Sequence, residues 1–259
     1  MTSLPLYGLI PAAGRAVRLG PLPCSKELLP VGFRATAAGP VPKVAGHYLL
    51  ESFAEADVER VFMVLHEGKG DVPRYFGTGE IAGVALAYLS IPGSGSIPET
   101  LDRAYPFVRD GLVVLGFPDV LFAPVDAYRE LLKRQHHTGA DLVLGCFPVR
   151  NPHTTEMVEL APDGRVLRLE IRPAATELAY NWLLAVWGPA FTRLLHGAVH
   201  GGLADPGTAS AEAPLGAVIQ EAIRLGLRVE GVPFPEGSYR DIGTPEELAA
   251  AVRAGGLSK

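Results

Sequence analysis

The chain has 259 residues, 48% of them hydrophobic, with a formal net charge of −5 and two cysteines, Cys24 and Cys146. The mild acidity excludes a general affinity for nucleic acid, whose phosphates require a cationic surface. Two distant cysteines outside any C-x-x-C spacing make neither a disulfide framework nor a zinc ribbon. No apolar run approaches the roughly 20 residues that span a bilayer, and no charged stretch followed by an apolar one opens the chain. A soluble, cytoplasmic protein without a membrane or nucleic-acid partner is expected.

Tyr7–Pro11 is a short apolar run of the buried-strand type. It runs into the small residues Ala12-Ala13-Gly14, followed by the cations Arg15, Arg18 and Lys26. Small residues let backbone N–H groups approach a ligand closely, and the cations add charge beside them. The loop therefore reads as a cradle for an anion, phosphate above all. An ordinary surface turn in a chain rich in Ala and Gly is the competing reading.

Val44, Tyr48, Leu49 and Phe53 recur at helical spacing and predict a helix over Pro42–Ala56. The continuous run Val61–Leu65 predicts a central parallel strand, and Val84–Leu89 a weaker one. A second small-residue loop, Ile91–Ser96, ends in Ser96-Ile97-Pro98-Glu99, a capping box that starts a helix. Leu112–Gly116 is a third buried strand; Phe117–Phe122 follows it, then a helix from Pro124 to about His136.

Strands alternating with helices imply right-handed βαβ units and a mostly parallel sheet. Ligands bind at the carboxyl ends of such strands. The Gly14 loop, the Gly95 loop and Asp119 each follow a predicted strand, so they are expected to converge on one edge.

The second half begins with a strand, Leu142–Val149, and a hairpin of Met157–Leu160 with Val166–Ile171 around Pro162-Asp163-Gly164-Arg165. Leu183–Trp187 is another apolar strand, and residues 197–214, rich in Gly, Ala, Ser and Pro, read as a mobile loop. A helix over Leu215–Leu225 and a strand over Arg228–Val232 follow. The last segment, Tyr239-Arg240-Asp241-Ile242-Gly243-Thr244-Pro245-Glu246-Glu247-Leu248, holds an aspartate, a glycine turn and a helix start. That helix is expected to turn Leu248 and Val252 inward and end near Gly255. Trp182 and Trp187 are assigned to the core, and the seven histidines show no metal-ligand pattern, His136-His137 reading as an exposed helix end.

The segment Ala12-Ala13-Gly14-Arg15-Ala16-Val17-Arg18-Leu19-Gly20-Pro21, with Ser25-Lys26-Glu27-Leu28-Leu29-Pro30-Val31, resembles the N-terminal signature of the sugar-1-phosphate nucleotidylyltransferases. That family includes glucose-1-phosphate thymidylyltransferase and UTP–glucose-1-phosphate uridylyltransferase. Leu115–Phe122 is similar to its Leu-Gly-Asp-x-x-Phe strand end, Leu169–Pro173 to its Glu-Lys-Pro segment, and Tyr239–Thr244 to its Trp-x-Asp-x-Gly-Thr segment. The resemblance spans almost the whole chain. It implies an α/β fold, a three-layer α/β/α Rossmann-like mixed, mostly parallel sheet of the nucleotide-diphospho-sugar transferase type. It further implies a single domain over residues 1–259, with a nucleotide-binding half at 1–140 and a sugar-phosphate-binding half at 141–259.

The chemistry implied is attack of a sugar-phosphate oxygen on the α-phosphate of a nucleoside triphosphate, with pyrophosphate leaving. Both reactants are anions, so the protein holds them in line and neutralises charge. By resemblance Arg18 holds the triphosphate and Lys26 the attacking phosphate, while Asp119 and Asp241 hold Mg²⁺. Ala12, Ala13, Gly14, Gly95, Glu170, Arg172 and Asn181 complete the substrate-binding set, dTTP or UTP is the implied nucleotide, and a homo-oligomer is compatible. Each assignment has a plainer counterpart: a surface cation for Arg18, a helix cap for Asp119, a turn for Asp241, a solvent-facing hairpin arginine for Arg172.

Departures from the family pattern fall in two places. In the loop, Ala13, Ala16 and Val17 stand where Gly, Gly and Thr are usual, and the link from Pro21 to Lys26 is short. On the sugar side, Ile171 and Arg172 replace a Glu-Lys pair and Asn181-Trp182 replaces Thr-Gly, which predicts a narrower, more apolar pocket and admits another phosphorylated alcohol as acceptor. Ile91 takes the place of a base-reading glutamine, leaving the base open. Two other readings stand beside the enzyme: a nucleotide-binding protein of this fold that has lost turnover, and a nicotinamide-dependent dehydrogenase, which lacks a full G-x-G-x-x-G.

Overall fold

A computed structural model describes residues 4–149, 151–201 and 214–256. The chain opens with β1 (Leu6–Ala12) and passes two 3₁₀ turns, Val17–Leu19 and Lys26–Leu28, before a hairpin of β2 (Pro30–Thr36) and β3 (Gly39–Val44). Then come α1 (Ala45–Glu55), β4 (Arg60–His66), α2 (Asp71–Phe76), β5 (Ala85–Ile91), α3 (Ile97–Asp102), α4 (Tyr105–Val108) and β6 (Leu112–Leu115). The middle of the chain forms β7 (Val120–Ala123), α5 (Ala127–Thr138), β8 (Leu142–Pro148), β9 (Glu156–Leu160), β10 (Val166–Ile171) and β11 (Tyr180–Trp187). The chain closes with α6 (Pro189–Gly201), α7 (Leu215–Arg224), β12 (Val229–Pro233), β13 (Ser238–Asp241) and α8 (Pro245–Arg253).

Nine strands make one mixed sheet. Along it β1, β4, β5, β6, β8, β9 and β12 run one way, and β10 and β11 the other. The reversal at β11 joins the halves: its C-terminal part pairs with β6, its N-terminal part with β9, and its other edge with β8. Alternate residues feed two cores, as strand geometry requires. Leu9, Val113, Leu144 and Ala185 face α3, α6 and α7; Ile10, Val114, Val143 and Val186 face α1, α2 and α5. The fold is thus the expected three-layer α/β/α arrangement. In α7, Leu215, Val218, Ile219 and Ala222 form the buried stripe of a 3.6-residue period. No helix among the described residues is long and apolar enough to cross a membrane.

Three local expectations are corrected. Residues 42–44 belong to β3 rather than a helix, paired antiparallel with β2. Pro42 lies in a two-stranded ribbon, where a missing N–H is tolerated, and the helical period is obeyed only from Ala45 onward. Residues 197–201 continue α6, because Ala198 and Val199 extend the apolar face begun by Leu195; 202–213 lie outside the described residues. In α8 the inward positions are Leu248 and Ala251, against a small cluster with Val31, Leu121 and Ile242, whereas Val252 is 53% exposed. The seam is too narrow to reach both the third and the fourth residue beyond Leu248.

Candidate active site

One wall of the site grows from the end of β1. The chain leaves the sheet at Ala12 and enters a loop in which Ala16 adopts φ 54°, ψ 33° before the turn at Val17–Leu19. A left-handed conformation is costly for any residue with a Cβ, which is the physical reason glycine suits this position. The loop is held from below by a buried ion pair. Lys69 Nζ donates to the Ala12 carbonyl at 2.7 Å and to Glu27 Oε1 at 2.6 Å. Beside it the Asp71 carboxylate accepts from the Ser25 N–H (2.7 Å) and hydroxyl (2.6 Å). Burial pushes the Asp71 carboxyl up, but the Ser25 hydrogen bonds outweigh it and hold the group below its usual range. Both neighbours of Lys26 in sequence are therefore anchored.

Lys26 Nζ lies 2.5 Å from Asp119 Oδ2. Asp119 sits between β6 and β7, well before α5, so it caps no helix. β7 pairs antiparallel with β13, placing Asp241 opposite Val120, and the Ile242 N–H donates to the Asp119 carbonyl at 2.9 Å. The two aspartates are thereby neighbours. Asp241 opens onto the cavity yet is walled by protein on its other sides. That partial burial, joined by the charge of Asp119, raises its carboxyl above the usual range against the pull of the Gly243 N–H, Arg18 and Lys26. Burial disfavours the Lys26 ammonium, but Asp119, Glu27 and Asp241 overcome this and raise it above the usual lysine value. Asp241 also accepts from the Gly243 N–H at 2.8 Å, so it makes the turn and faces the cavity at once. A Cβ on Gly243 would lie 2.7 Å from Arg18 Nη2, which fixes the guanidinium beside this turn.

The facing wall comes from β9, β10 and β11. Trp182 Nε1 donates to Glu156 Oε2 at 2.8 Å. Burial raises the Glu156 carboxyl, opposed by Trp182, the Gly216 N–H and Arg172. A Cβ on Gly216 would lie 2.5 Å from Glu156 Oε2, so glycine at this point of α7 leaves the space the carboxylate occupies. Asn181 Nδ2 donates to Thr155 Oγ1 (2.9 Å) and to the Tyr239 hydroxyl (3.1 Å), tying β11 to β13. Arg172 adopts φ 47°, its N–H on the Thr155 carbonyl at 2.9 Å.

Between the walls lies a cavity of about 590 Å³. Arg18, Lys26, Asp119, Asp241, Ala13, Gly14, Gly95 and Arg172 all border it, so the two loops and Asp119 converge as the strand pattern implies, and Asp241 joins them there. Ala12, Glu170 and Asn181 do not. Ala12 is buried with its carbonyl on Lys69, Glu170 pairs with Arg168, and Asn181 is buried behind the wall it ties together. Ile91 is also buried, in the core. Arg15 faces a second cavity of about 520 Å³ across the loop.

Glu156, Lys69 and Glu27 carry no role in the sequence reading, and Trp182, assigned to the core, is buried yet borders the cavity. Lys69 had one signal, its place just past the carboxyl end of β4; Glu156 had none, since its partner lies 26 residues away. The histidines need correction too. His196 and His200, one turn apart on α6, meet Asp102 of α3.

No family model matches the sequence, and no curated protein matches it. Among solved structures the chain is similar to a Bacillus anthracis protein provisionally assigned as a glucose-1-phosphate thymidylyltransferase and solved with sucrose. The TM-score is 0.80 at 18% identity, over 98% of this chain and 98% of that one. At that identity the likeness establishes the fold.

Proposed function

We propose that the chain is a nucleotidylyltransferase, joining a nucleoside triphosphate to a sugar 1-phosphate and releasing pyrophosphate. The observation that carries this reading is the convergence of Lys26, Asp119, Asp241 and Arg18 on one cavity at the mouth of a small-residue loop. Such a transfer needs no nucleophilic side chain, because the attacking phosphate is already ionised; it needs alignment and charge neutralisation. Arg18, exposed beside Gly243, stabilises charge moving onto pyrophosphate. Lys26, its ammonium held charged by carboxylates, positions the attacking phosphate. The neighbouring Asp119 and Asp241 carboxylates are hard oxygen donors that fit Mg²⁺. When bound, the ion supplies neutralisation of the triphosphate oxygens. Burial first and the Asp119 charge second raise the Asp241 carboxyl, and a bound cation offsets the second of these. dTTP or UTP is the nucleotide this reading favours. The acceptor end, bordered by Trp182, favours a compact phosphorylated alcohol.

A second reading, a nucleotide-binding protein without turnover, is favoured by one observation: Lys26 is engaged on Asp119 rather than free for substrate. Both readings meet one experiment. Purified protein is incubated with Mg²⁺, each nucleoside triphosphate and a panel of sugar and polyol phosphates, and pyrophosphate is followed. Release that disappears in Asp119→Asn and Asp241→Asn is expected. Nucleotide binding without release for any pair establishes the second reading instead, and release surviving in both variants overturns the metal assignment.

A further inference from the structure

Away from the cavity, the C-terminal end of α3 meets α6 through three ligating side chains. His196 Nδ1 lies 2.7 Å from Asp102 Oδ1 and His200 Nε2 lies 2.9 Å from Oδ2. One ligand atom from each residue falls within 4.8 Å of the others. The spacing is what places two imidazoles over one carboxylate: residues four apart on a helix share a face. The Asp102 side chain is 9% exposed and has no Lys or Arg partner among the described residues, while that of His200 is 62% exposed. A nearly buried carboxylate thus has two imidazole rings around it and an open path to solvent on one side. Tyr105 stacks on His196 at 3.8 Å and 9°, fixing that ring's plane.

We propose that Asp102, His196 and His200 bind a borderline divalent transition metal of the Zn²⁺ class, clamping α3 to α6. Two imidazole nitrogens and one carboxylate oxygen, with a fourth position open to water, are a donor set for that class and a poor one for Mg²⁺ or Ca²⁺. Ligand distances of about 2.0–2.2 Å in a tetrahedron set donor atoms roughly 3.3–3.6 Å apart, so the two histidine–carboxylate separations of 2.7 and 2.9 Å open on binding. A metal-bound imidazole carries its single proton on the ring nitrogen that faces away from the ion. The stacked Tyr105 plays the orienting part that outer partners play at metal sites. The site is separate from the proposed catalytic carboxylates. It sits at the far end of α3 from Ser96, about 9 Å along the helix, and Ser96 borders the cavity.

The test uses the full chain, stripped with chelator and titrated calorimetrically with Zn²⁺, with Co²⁺ as an optical probe. One equivalent binds at micromolar or tighter Kd, Co²⁺ gives a visible d–d band, and excess Mg²⁺ does not compete. His200→Gln, at an exposed position that spares the fold, weakens Zn²⁺ at least tenfold and abolishes the Tm rise that Zn²⁺ gives the parent chain. Asp241→Asn and the double variant His136→Gln/His137→Gln bind as the parent does. Absence of one-to-one binding, binding unchanged in His200→Gln, or binding lost with His136 and His137 overturns the proposal and leaves a hydrogen-bonded tie between helices.

Discussion

The two walls of the cavity are built by different means. The loop wall rests on paired charges: Lys69 with Glu27 underneath, Lys26 with Asp119 at the cavity, Arg18 beside Asp241. The hairpin wall rests on neutral donors, Trp182 Nε1 on Glu156 and Asn181 Nδ2 on Thr155 and Tyr239, with Arg172 the cation at its rim. Charged walls suit groups that every substrate shares, the phosphates. Neutral donors around a single carboxylate suit hydroxyls, where substrates differ. Rate is therefore expected to depend on the first wall and selectivity on the second.

The largest effect tests what underlies the loop wall. Glu27→Ala strands the buried Lys69 ammonium without its carboxylate. Breaking a buried pair on one side costs about 3–5 kcal/mol, which at about 2–4 °C per kcal/mol lowers Tm by on the order of 10 °C. Glu27→Gln keeps an acceptor for Lys69 and recovers part of that loss in thermal melts. A Tm within two degrees of the parent in Glu27→Ala would show the wall standing without its ion pair.

Next comes Lys26→Ala, with the Ser25–Asp71 anchor left in place. Removing one preorganised cation from a transfer site lowers turnover by about 10²–10³-fold, read as pyrophosphate release at saturating substrate, with circular dichroism unchanged. A loss below tenfold moves the chemistry off the loop wall.

Glu156→Gln probes the other side. The KM of the second substrate rises roughly tenfold while kcat changes little, the split expected of a specificity contact. Stability gives an independent reading. The Glu156 carboxyl is raised in the folded protein by burial, so its contribution is fully present below the unfolded carboxylate pKa and is lost as pH rises through the folded value. Raising the pH through that window costs the parent stability that Glu156→Gln does not lose, so the variant gains Tm relative to the parent at pH 7 and little at pH 4. Equal differences at both pH values contradict the burial argument.

The loop wall is the one that can be read along the chain. The Gly14 loop, the Gly95 loop and Asp119 each follow a strand, and strand direction alone carries them to one sheet edge. The hairpin wall cannot be read that way. Glu156 meets Trp182 only because β9 and β11 pair through Tyr180 and Asn181, and register between strands leaves no local trace in sequence. The His196–Asp102 contact spans 94 residues and is hidden for the same reason. Glu170 shows the converse: Arg172, two residues on, borders the cavity, whereas Glu170 is drawn to Arg168 on its own strand.

The smallest effect separates the walls most finely, because each carries one strained residue, Ala16 on the loop and Arg172 on the hairpin. At φ 54° Ala16 bears about 1–2 kcal/mol of left-handed strain. Ala16→Gly removes it but frees the unfolded chain by about 0.4–1 kcal/mol. The difference leaves the variant more stable by under about 1 kcal/mol, a rise of about 2 °C in Tm at this chain length. Nothing lies within 4 Å of where a Cβ would stand on the neighbouring Gly14, so the loop has room to keep its path and the KM for nucleotide stays within about threefold. A fall in Tm would mean that Ala16 is not held left-handed. A tenfold rise in nucleotide KM with Tm raised would mean instead that strain at Ala16 preorganises the phosphate cradle, and that the loop wall owes its grip to backbone as much as to charge.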